Sequence, residues 1–417
     1  MKETSRGTFR SLRIHNYRLY FMGQLVSFAG TWMQDLAQNI LITYRLHQGG
    51  TVLGLFTAAR FVPMLLLGAW VGAFIDRVDK RKVLMWTNAA MATTSGILAV
   101  LTLTHVVRLW MVFVIALFSG TANAFDNPTR QSFGTELVGP DDLPNAIALN
   151  STMFNSARLI GPWLATQLLP SIGPGGCFAV NAASFLAIIS SLVLMRKGEM
   201  RTRAPVRRAK GQIRAGFAHV RESKVLTGTM IIVTIIGTLA LNFTVVMPLM
   251  AKEVFKVGEG GVAGFFTASA IGTLVGSILA ARRKRVTARL VVVAAGLYGL
   301  AMGATAIAPT VRTEQLALVV MGLFSMTFML SANATLQLHS RVEMRGRVMA
   351  LYSVAFLGST PIGGPIVGWV CQRFGARWGF GVGAIACLVS AALGVLLLWG
   401  PIEVPDVQPA LKSATTA

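Results

Sequence analysis

"GAFIDRVDKRK", residues 72–82, packs six charges into the seven residues 76–82. The 25 residues before that knot, 51–75, hold a single charge, Arg60. Hydrophobic residues make up 54% of the 417-residue chain and charged residues only 13%, about half the ~25% of a typical soluble domain. The mean hydropathy is +0.62. A soluble multi-domain globule is excluded by these values. They predict an all-α integral membrane protein in which charge collects between spans.

Working outward from the knot, apolar runs long enough to cross a bilayer (about 20 residues) fall at 19–44, 52–75, 83–104, 109–127, 143–169, 176–195, 225–250, 261–281, 288–309, 315–338, 346–370 and 377–399. Twelve spans put both termini on one side of the membrane. The segments on the side of the termini carry 29 of the 38 Lys and Arg residues, those on the far side carry seven, and Arg60 and Arg158 lie inside spans. Positive charge accumulates on cytoplasmic loops, so the termini are expected in the cytoplasm, in a plasma (inner) membrane. The net charge of +22 then follows from topology, and a nucleic-acid partner is not expected. The first 18 residues are basic, and the run that follows is too long for a signal-peptide core; it is expected to stay as the first helix. Cys177, Cys371 and Cys387 lie far apart, and the five histidines lack ligand spacing. No disulfide, metal site or cofactor is therefore expected.

The chain repeats itself. "GAFIDRVDKRKV" from Gly72 aligns with "GSILAARRKRV" from Gly276, "NPTRQ" (127–131) with "NATLQ" (333–337), and "IGP" (160–162) with "GGP" (363–365). The offsets are nearly constant, as duplication of a six-helix unit requires. The expected organisation is a cytoplasmic N-terminal segment (1–18), an N-terminal six-helix bundle (19–195), a basic cytoplasmic linker (196–224), a C-terminal six-helix bundle (225–400) and a cytoplasmic tail (401–417). In the linker, Ile213, Phe217 and Val220 lie at helical spacing against Arg214, Arg221 and Lys224. That pattern fits a short amphipathic helix on the membrane surface or a solvated charged linker. Substrate sites in duplicated folds lie near the midplane, between the repeats.

These features resemble the major facilitator superfamily over essentially the whole chain. Gly72, Asp76, Arg77, Arg81 and Lys82 match that superfamily's cytoplasmic motif between helices 2 and 3; Asp79 stands where the family usually has glycine. Within the superfamily, "GTWMQDLAQNILITYRL" (30–46), "FDNPTRQSFGTELVGPDDLPNAIALNSTMFNSARLIGP" (125–162) and "RGRVMALYSVAFLGSTPIGGP" (345–365) are similar to the enterobactin-exporter and macrolide-efflux branch, of transmembrane secretion effector type. The resemblance implies alternating access, export of siderophores or drug-like amphipathic compounds, and proton antiport. It also implies a latch in which Gly72 and Asp76 meet helix 11, Asp76 facing that helix's amino-terminal end or Arg345 or Arg347. The second repeat has Ala280 in place of Asp76, so the latch would be one-sided.

Ionisable residues inside spans are functional candidates. At 1.5 Å rise per residue, Asp35, Arg60 and Arg158 fall at a similar depth. Asp35 is expected to pair with Arg60, Arg158 or both, and either carries protons or forms a static bridge. Thr31, Asp35, Gln38 and Asn39 form one polar stripe, as do Ser151, Asn155 and Arg158. Further cavity candidates are Gln34, Asn123, Asn242, Thr244, Asn333 and Gln337. The carboxy-terminal half is expected to hold no acid within a span, so two arginines against one aspartate favour an anionic or zwitterionic substrate. Asp126 and Arg130 end span 4 at an expected Asn127–Pro128 turn and either belong to the inner gate or cap a solvated helix end.

Nucleotide-binding, serine-hydrolase and zinc-protease motifs are absent from the sequence, so no enzyme is expected. The reading is a secondary transporter, working as a monomer, that exports a small molecule against a proton or sodium gradient. A lipid or lysophospholipid flippase, a metabolite importer and a membrane sensor or assembly factor remain as alternatives.

Overall fold

The computed structural model describes residues 9–75, 77–139, 142–196, 198, 212–283, 286–357 and 359–399. All of its regular structure is helical. The helices are α1 (His15–Ile40), α2 (Gly50–Ile75), α3 (Lys80–Leu103), α4 (Leu109–Glu136), α5 (Leu143–Leu194), α6 (Gln212–Glu222), α7 (Lys224–Leu239), α8 (Phe243–Leu249), α9 (Glu259–Ala281), α10 (Ala288–Ile307), α11 (Val311–His339), α12 (Arg345–Leu357), α13 (Thr360–Phe374) and α14 (Ala376–Leu398). In lipid the backbone must satisfy its own polar groups, so an apolar chain with this spacing of polar loops folds into helices.

Ten stretches among the described residues are long and apolar enough to cross a membrane. Asn145–Leu194 is one of them and holds the runs expected at 143–169 and 176–195. Within it the sequence "PSIGPGG" (170–176) breaks the helix at Gly173, whose φ of 63° and ψ of −178° are not helical. The run expected at 19–44 corresponds to α1, which is not among the ten; its buried Asn16, Gln24, Gln34, Gln38 and Asn39 lower its apolar character. The turn expected at Asn127–Pro128 is absent. Helix α4 runs through Pro128 to Glu136, with the hydroxyl of Thr129 donating to Phe125 O at 2.6 Å. Proline is tolerated within membrane helices.

Helices α1–α5 pack mainly on one another, as do α7–α14. Hydrophobic burial drives little of this in lipid; close backbone approach does. Gly23 and Gly30 of α1 lie against Ser191 and Ser184 of α5, where an added Cβ would sit 2.4 Å from each hydroxyl oxygen. The two groups meet along α2 with α13 and along α5 with α9. Helix α6, from the expected linker, docks on α12: Gly216 lies against Arg347, and His219 and Val220 are buried while Phe217 is exposed. Ile213 and Arg214 have side chains outside the described residues.

Candidate functional site: charge pairs and the seam between the helix groups

Asp35 and Arg60 meet, with Nη2 2.6 Å from Oδ1. Around them lies a cavity of about 20 Å³ lined by Thr31, Gln34, Gln38, Ser95, Asn123 and Asn181, among others. It holds a water or two at most. Its walls come from α1 to α5 alone. The polar stripe of α1 therefore faces the interior of the first helix group rather than the seam between the groups, because the small residues of α1 turn that face onto α5. Asn181 Nδ2 donates to Gln34 Oε1 at 2.8 Å, and Ser184 donates to Asn181 Oδ1 at 2.9 Å. Asn39 is buried close by in sequence.

Arg158 does not join this pair. Its guanidinium carbon lies 5.6 Å from the ring centre of Trp32 in α1 and 5.4 Å from that of Phe243 in α8, at the seam. Asn242 donates to Thr238 O at 2.6 Å, and Thr244 lies beside Phe243 in α8. Gln337 donates to Asn333 Oδ1 at 2.6 Å and is exposed. Asn155 has its side chain outside the described residues, and Ser151 is exposed.

The motif loop is held by its basic residues. Lys80 pairs with Glu136 at the end of α4. Arg81 donates from Nε to Leu192 O at 2.6 Å and from Nη2 to Val193 O at 3.0 Å, capping the last carbonyls of α5. A cation there is stabilised by the helix dipole. Asp79 is the N-cap of α3, its Oδ1 accepting from the amides of Arg81 (2.9 Å) and Lys82 (3.3 Å). Arg77 is exposed. Asp76 and the side surroundings of Gly72 lie outside the described residues, and with them the expected latch. Arg345 donates to Ser340 O at 3.4 Å and Arg347 to the Met344 sulfur at 3.2 Å.

Asp126 is 2% exposed, so it is not a solvated helix end. Its Oδ1 accepts from Thr87 (3.0 Å) and Asn88 (2.9 Å) of α3, and its Oδ2 from Arg130 (2.9 Å). Arg130 in turn covers the Phe28 ring at 4.3 Å. It lines a cavity of about 330 Å³ with Tyr17, Tyr20, Gln131 and Ser151, at the face of the bundle where α1 begins and α4 ends.

At the opposite face the helix groups close on each other. A Cβ on Gly50 would lie 2.4 Å from Gly368 O, and one on Gly54 2.3 Å from Gly364 O. Near the other end of α2, a Cβ on Gly68 would meet nothing within 4 Å. The closed face also carries a polar clamp. Tyr44 donates to Val257 O at 2.8 Å, Lys252 Nζ to Thr43 O, and Arg45 pairs with Glu259 at 3.0 Å. Tyr44 and Lys252 sit in matching π-helical turns, Leu41–Arg45 after α1 and Met250–Val254 after α8. Each turn is followed by a residue in the left-handed region, His47 (φ 53°) and Lys256 (φ 52°). π-turns of this kind recur at functional sites. The sequences "LITYR" and "MAKEV" share no residue in register, so the repeat was invisible there.

Three acids of the carboxy-terminal half fall in membrane-capable stretches among the described residues, Glu253, Glu259 and Glu314. Glu314, in the first turn of α11, is 0% exposed, and neither carboxyl oxygen has a hydrogen-bond partner. The expectation that no acid lies within a span of the carboxy-terminal half is thus corrected. Position 314 stood one residue before the expected span start at 315, and capping by Thr310 extends the helix outward to Val311.

Membrane-capable helices packed in two groups around buried ion pairs, and closed on each other at one face, fit a membrane transport protein. The chain belongs to the transmembrane secretion effector family of the major facilitator superfamily, whose family model matches residues 6–415. It is 25% identical to the staphyloferrin A transporter of Staphylococcus aureus over 267 residues, 63% of this chain and 66% of that protein. It is 20% identical to macrolide efflux protein A of Streptococcus pyogenes over 301 residues, 70% and 74% of the two chains. With the enterobactin exporter EntS of Salmonella choleraesuis it shares 22% over 392 residues, 91% and 92% of the chains. Among solved structures, a bacterial homologue of the lysosomal transporter Spinster superposes with a TM-score of 0.72 at 14% identity, covering 96% of this chain and all of that one. A bacterial homologue of the iron transporter ferroportin gives 0.69 at 15% identity, covering 93% and 98%. The family is one of transporters, not enzymes.

Proposed function

We propose that this chain is a proton-coupled exporter of a small amphipathic molecule, of siderophore or drug-like class, working as a monomer by alternating access in the plasma (inner) membrane with both termini in the cytoplasm. The twelve expected spans follow if α1 counts as one and α5 as two about Gly173. They form the six-helix bundles 19–195 and 225–400, joined by the linker 196–224 and flanked by the segments 1–18 and 401–417. On this reading the α2–α13 contact is the outer seal.

The observation that carries the coupling is the Asp35–Arg60 pair at 2.6 Å. It lies mostly buried in a polar pocket of the N-terminal helices, where separating the partners leaves an uncompensated charge. As α1 and α2 shift in the cycle, the arginine's distance sets the affinity of Asp35 for a proton. Asp126 with Arg130, and the motif residues Gly72, Asp76, Arg77, Arg81, Lys82, Arg345 and Arg347, act as the inner gate.

Metabolite profiling of medium and cells, with and without the protein, identifies the compound. Its accumulation in everted vesicles is then followed while the external pH is varied. Wild type accumulates it with a proton gradient and not with a sodium gradient. Asp35→Asn, expressed normally, loses accumulation and its pH dependence; accumulation with an unchanged pH profile in that variant overturns the carrier role.

A further inference from the structure

Of the two arginines placed deep within spans by the sequence, Arg60 and Arg158, only Arg60 finds an acid among the described residues. Arg60 takes Asp35. Arg158 has no ion pair or hydrogen bond among the described residues, and its side chain is only partly exposed. What holds it is aromatic: Trp32 from the first helix group and Phe243 from the second present their rings to its guanidinium. Cation–π contacts recover part of the desolvation penalty but leave all five N–H donors of the guanidinium without an acceptor. Tyr298, which approaches from α10, gives its hydroxyl to Ala240 O at 3.1 Å.

Two cavities of about 20 Å³ flank Arg158. One is lined by Leu159, Ala270, Leu274 and Ser277, the other by Trp32, Phe243, Phe266 and Ser269. The hydroxyls of Thr273 and Ser277 donate to carbonyls of their own helix, at 3.0 and 2.8 Å, so the guanidinium is the charged donor this place offers. We propose that Arg158 is the substrate-anion site: as the helix groups part along the seam, it takes an oxyanion, a carboxylate first of all, carried on an aromatic or apolar body that inserts between Trp32 and Phe243. This deepens, and rests on, the exporter reading above. The site spans the seam, with Trp32 and Arg158 on one helix group and Phe243 and Ser269 on the other. A ligand bridging them binds the two arrangements of the groups unequally, which is what moves the equilibrium between them. Arg158 is thereby assigned to the substrate, and Asp35 with Arg60 to the proton.

The test uses the full chain in neutral detergent. Cys177, Cys371 and Cys387 are all buried, so a thiol-reactive dye reports unfolding. The probe is 1-naphthoate, with 1-naphthalenemethanol as its uncharged match. Naphthoate is expected to raise the melting temperature saturably in wild type, and the alcohol to leave it unchanged. Arg158→Gln is expected to need at least tenfold more naphthoate for the same shift, and Arg158→Lys to stay within a few-fold of wild type. No saturable shift with naphthoate, an equal shift with the alcohol, or an equal response in Arg158→Gln overturns the site. If Arg158→Gln does not fold, the wild-type comparison of acid and alcohol decides. Naphthoate binding with no exported compound found by profiling would overturn the export reading and leave the site standing; export of a compound without naphthoate binding would do the reverse.

Discussion

Gly54 of α2 rests on the backbone of α13 so closely that a Cβ at 54 would lie 2.3 Å from the carbonyl oxygen of Gly364. No side chain could stand in that contact, and neither backbone can yield without moving a whole helix. The contact is therefore a seal as well as a packing feature. It lies at the face where Tyr44, Lys252, Arg45 and Glu259 also tie the groups together.

Gly54→Leu is expected to hold the closed face apart. A cysteine placed at Thr51, beside the seal, should react with a membrane-impermeant thiol reagent in the Leu variant at least tenfold faster than in the otherwise wild-type chain. Transport should fall by a similar factor. Equal labelling rates would show that the face opens and closes without this contact.

The pair Asp35–Arg60 predicts a non-additive cycle. Arg60→Gln alone leaves a buried aspartate unpaired and is expected to destabilise by about 3 kcal/mol. Adding Asp35→Asn to it removes the orphaned charge and should recover most of that loss, since coupled neighbours do not add. Denaturant unfolding in mixed micelles reads all four corners; additive single changes would refute the pairing.

Asp79, which breaks the family's glycine pattern, caps α3. Asp79→Ala should lower stability by about 1 kcal/mol, whereas Asp79→Gly should cost only a few tenths of a kcal/mol. The comparison isolates the cap, because both variants lose the charge. Two equal losses would mean the aspartate acts through its charge instead.

Arg81 makes two hydrogen bonds from a cation to the carbonyls ending α5. Arg81→Gln should therefore cost about 2 kcal/mol, and Arg81→Lys, which cannot reach both carbonyls from a planar fork, should recover less than half. Hydrogen exchange at the amides of 190–195 should speed up in both variants; unchanged exchange there would put the role of Arg81 elsewhere.

Glu314 is buried with both oxygens unpartnered, a place that tolerates a neutral group and resists a charged one. Glu314→Gln should leave the melting temperature within a few degrees of wild type or above it. A large loss of stability in that variant would show that the ionised carboxylate is an essential partner of the fold.

Composition and the periodic return of charge were enough to read a polytopic helical protein, because lipid makes helix formation a local matter of apolar length. The internal repeat placed the motif loop and the helices around it. The residues Asp35 and Arg60 stood out because a charge in an apolar run is conspicuous in one dimension. What the sequence could not decide was rotation and reach. Whether Asp35 turned toward Arg60 or Arg158, and whether its stripe faced the seam or the bundle interior, depend on how helices pack. Glu314 escaped notice because its burial comes from neighbours distant in the chain, and the matched π-turns because backbone geometry recurred there without residue identity. The sequence by itself determined a polytopic helical chain with stretches long and apolar enough to cross a membrane; only the tertiary structure decided which charges meet there, since pairing is set by helix rotation and close backbone contact rather than by order along the chain.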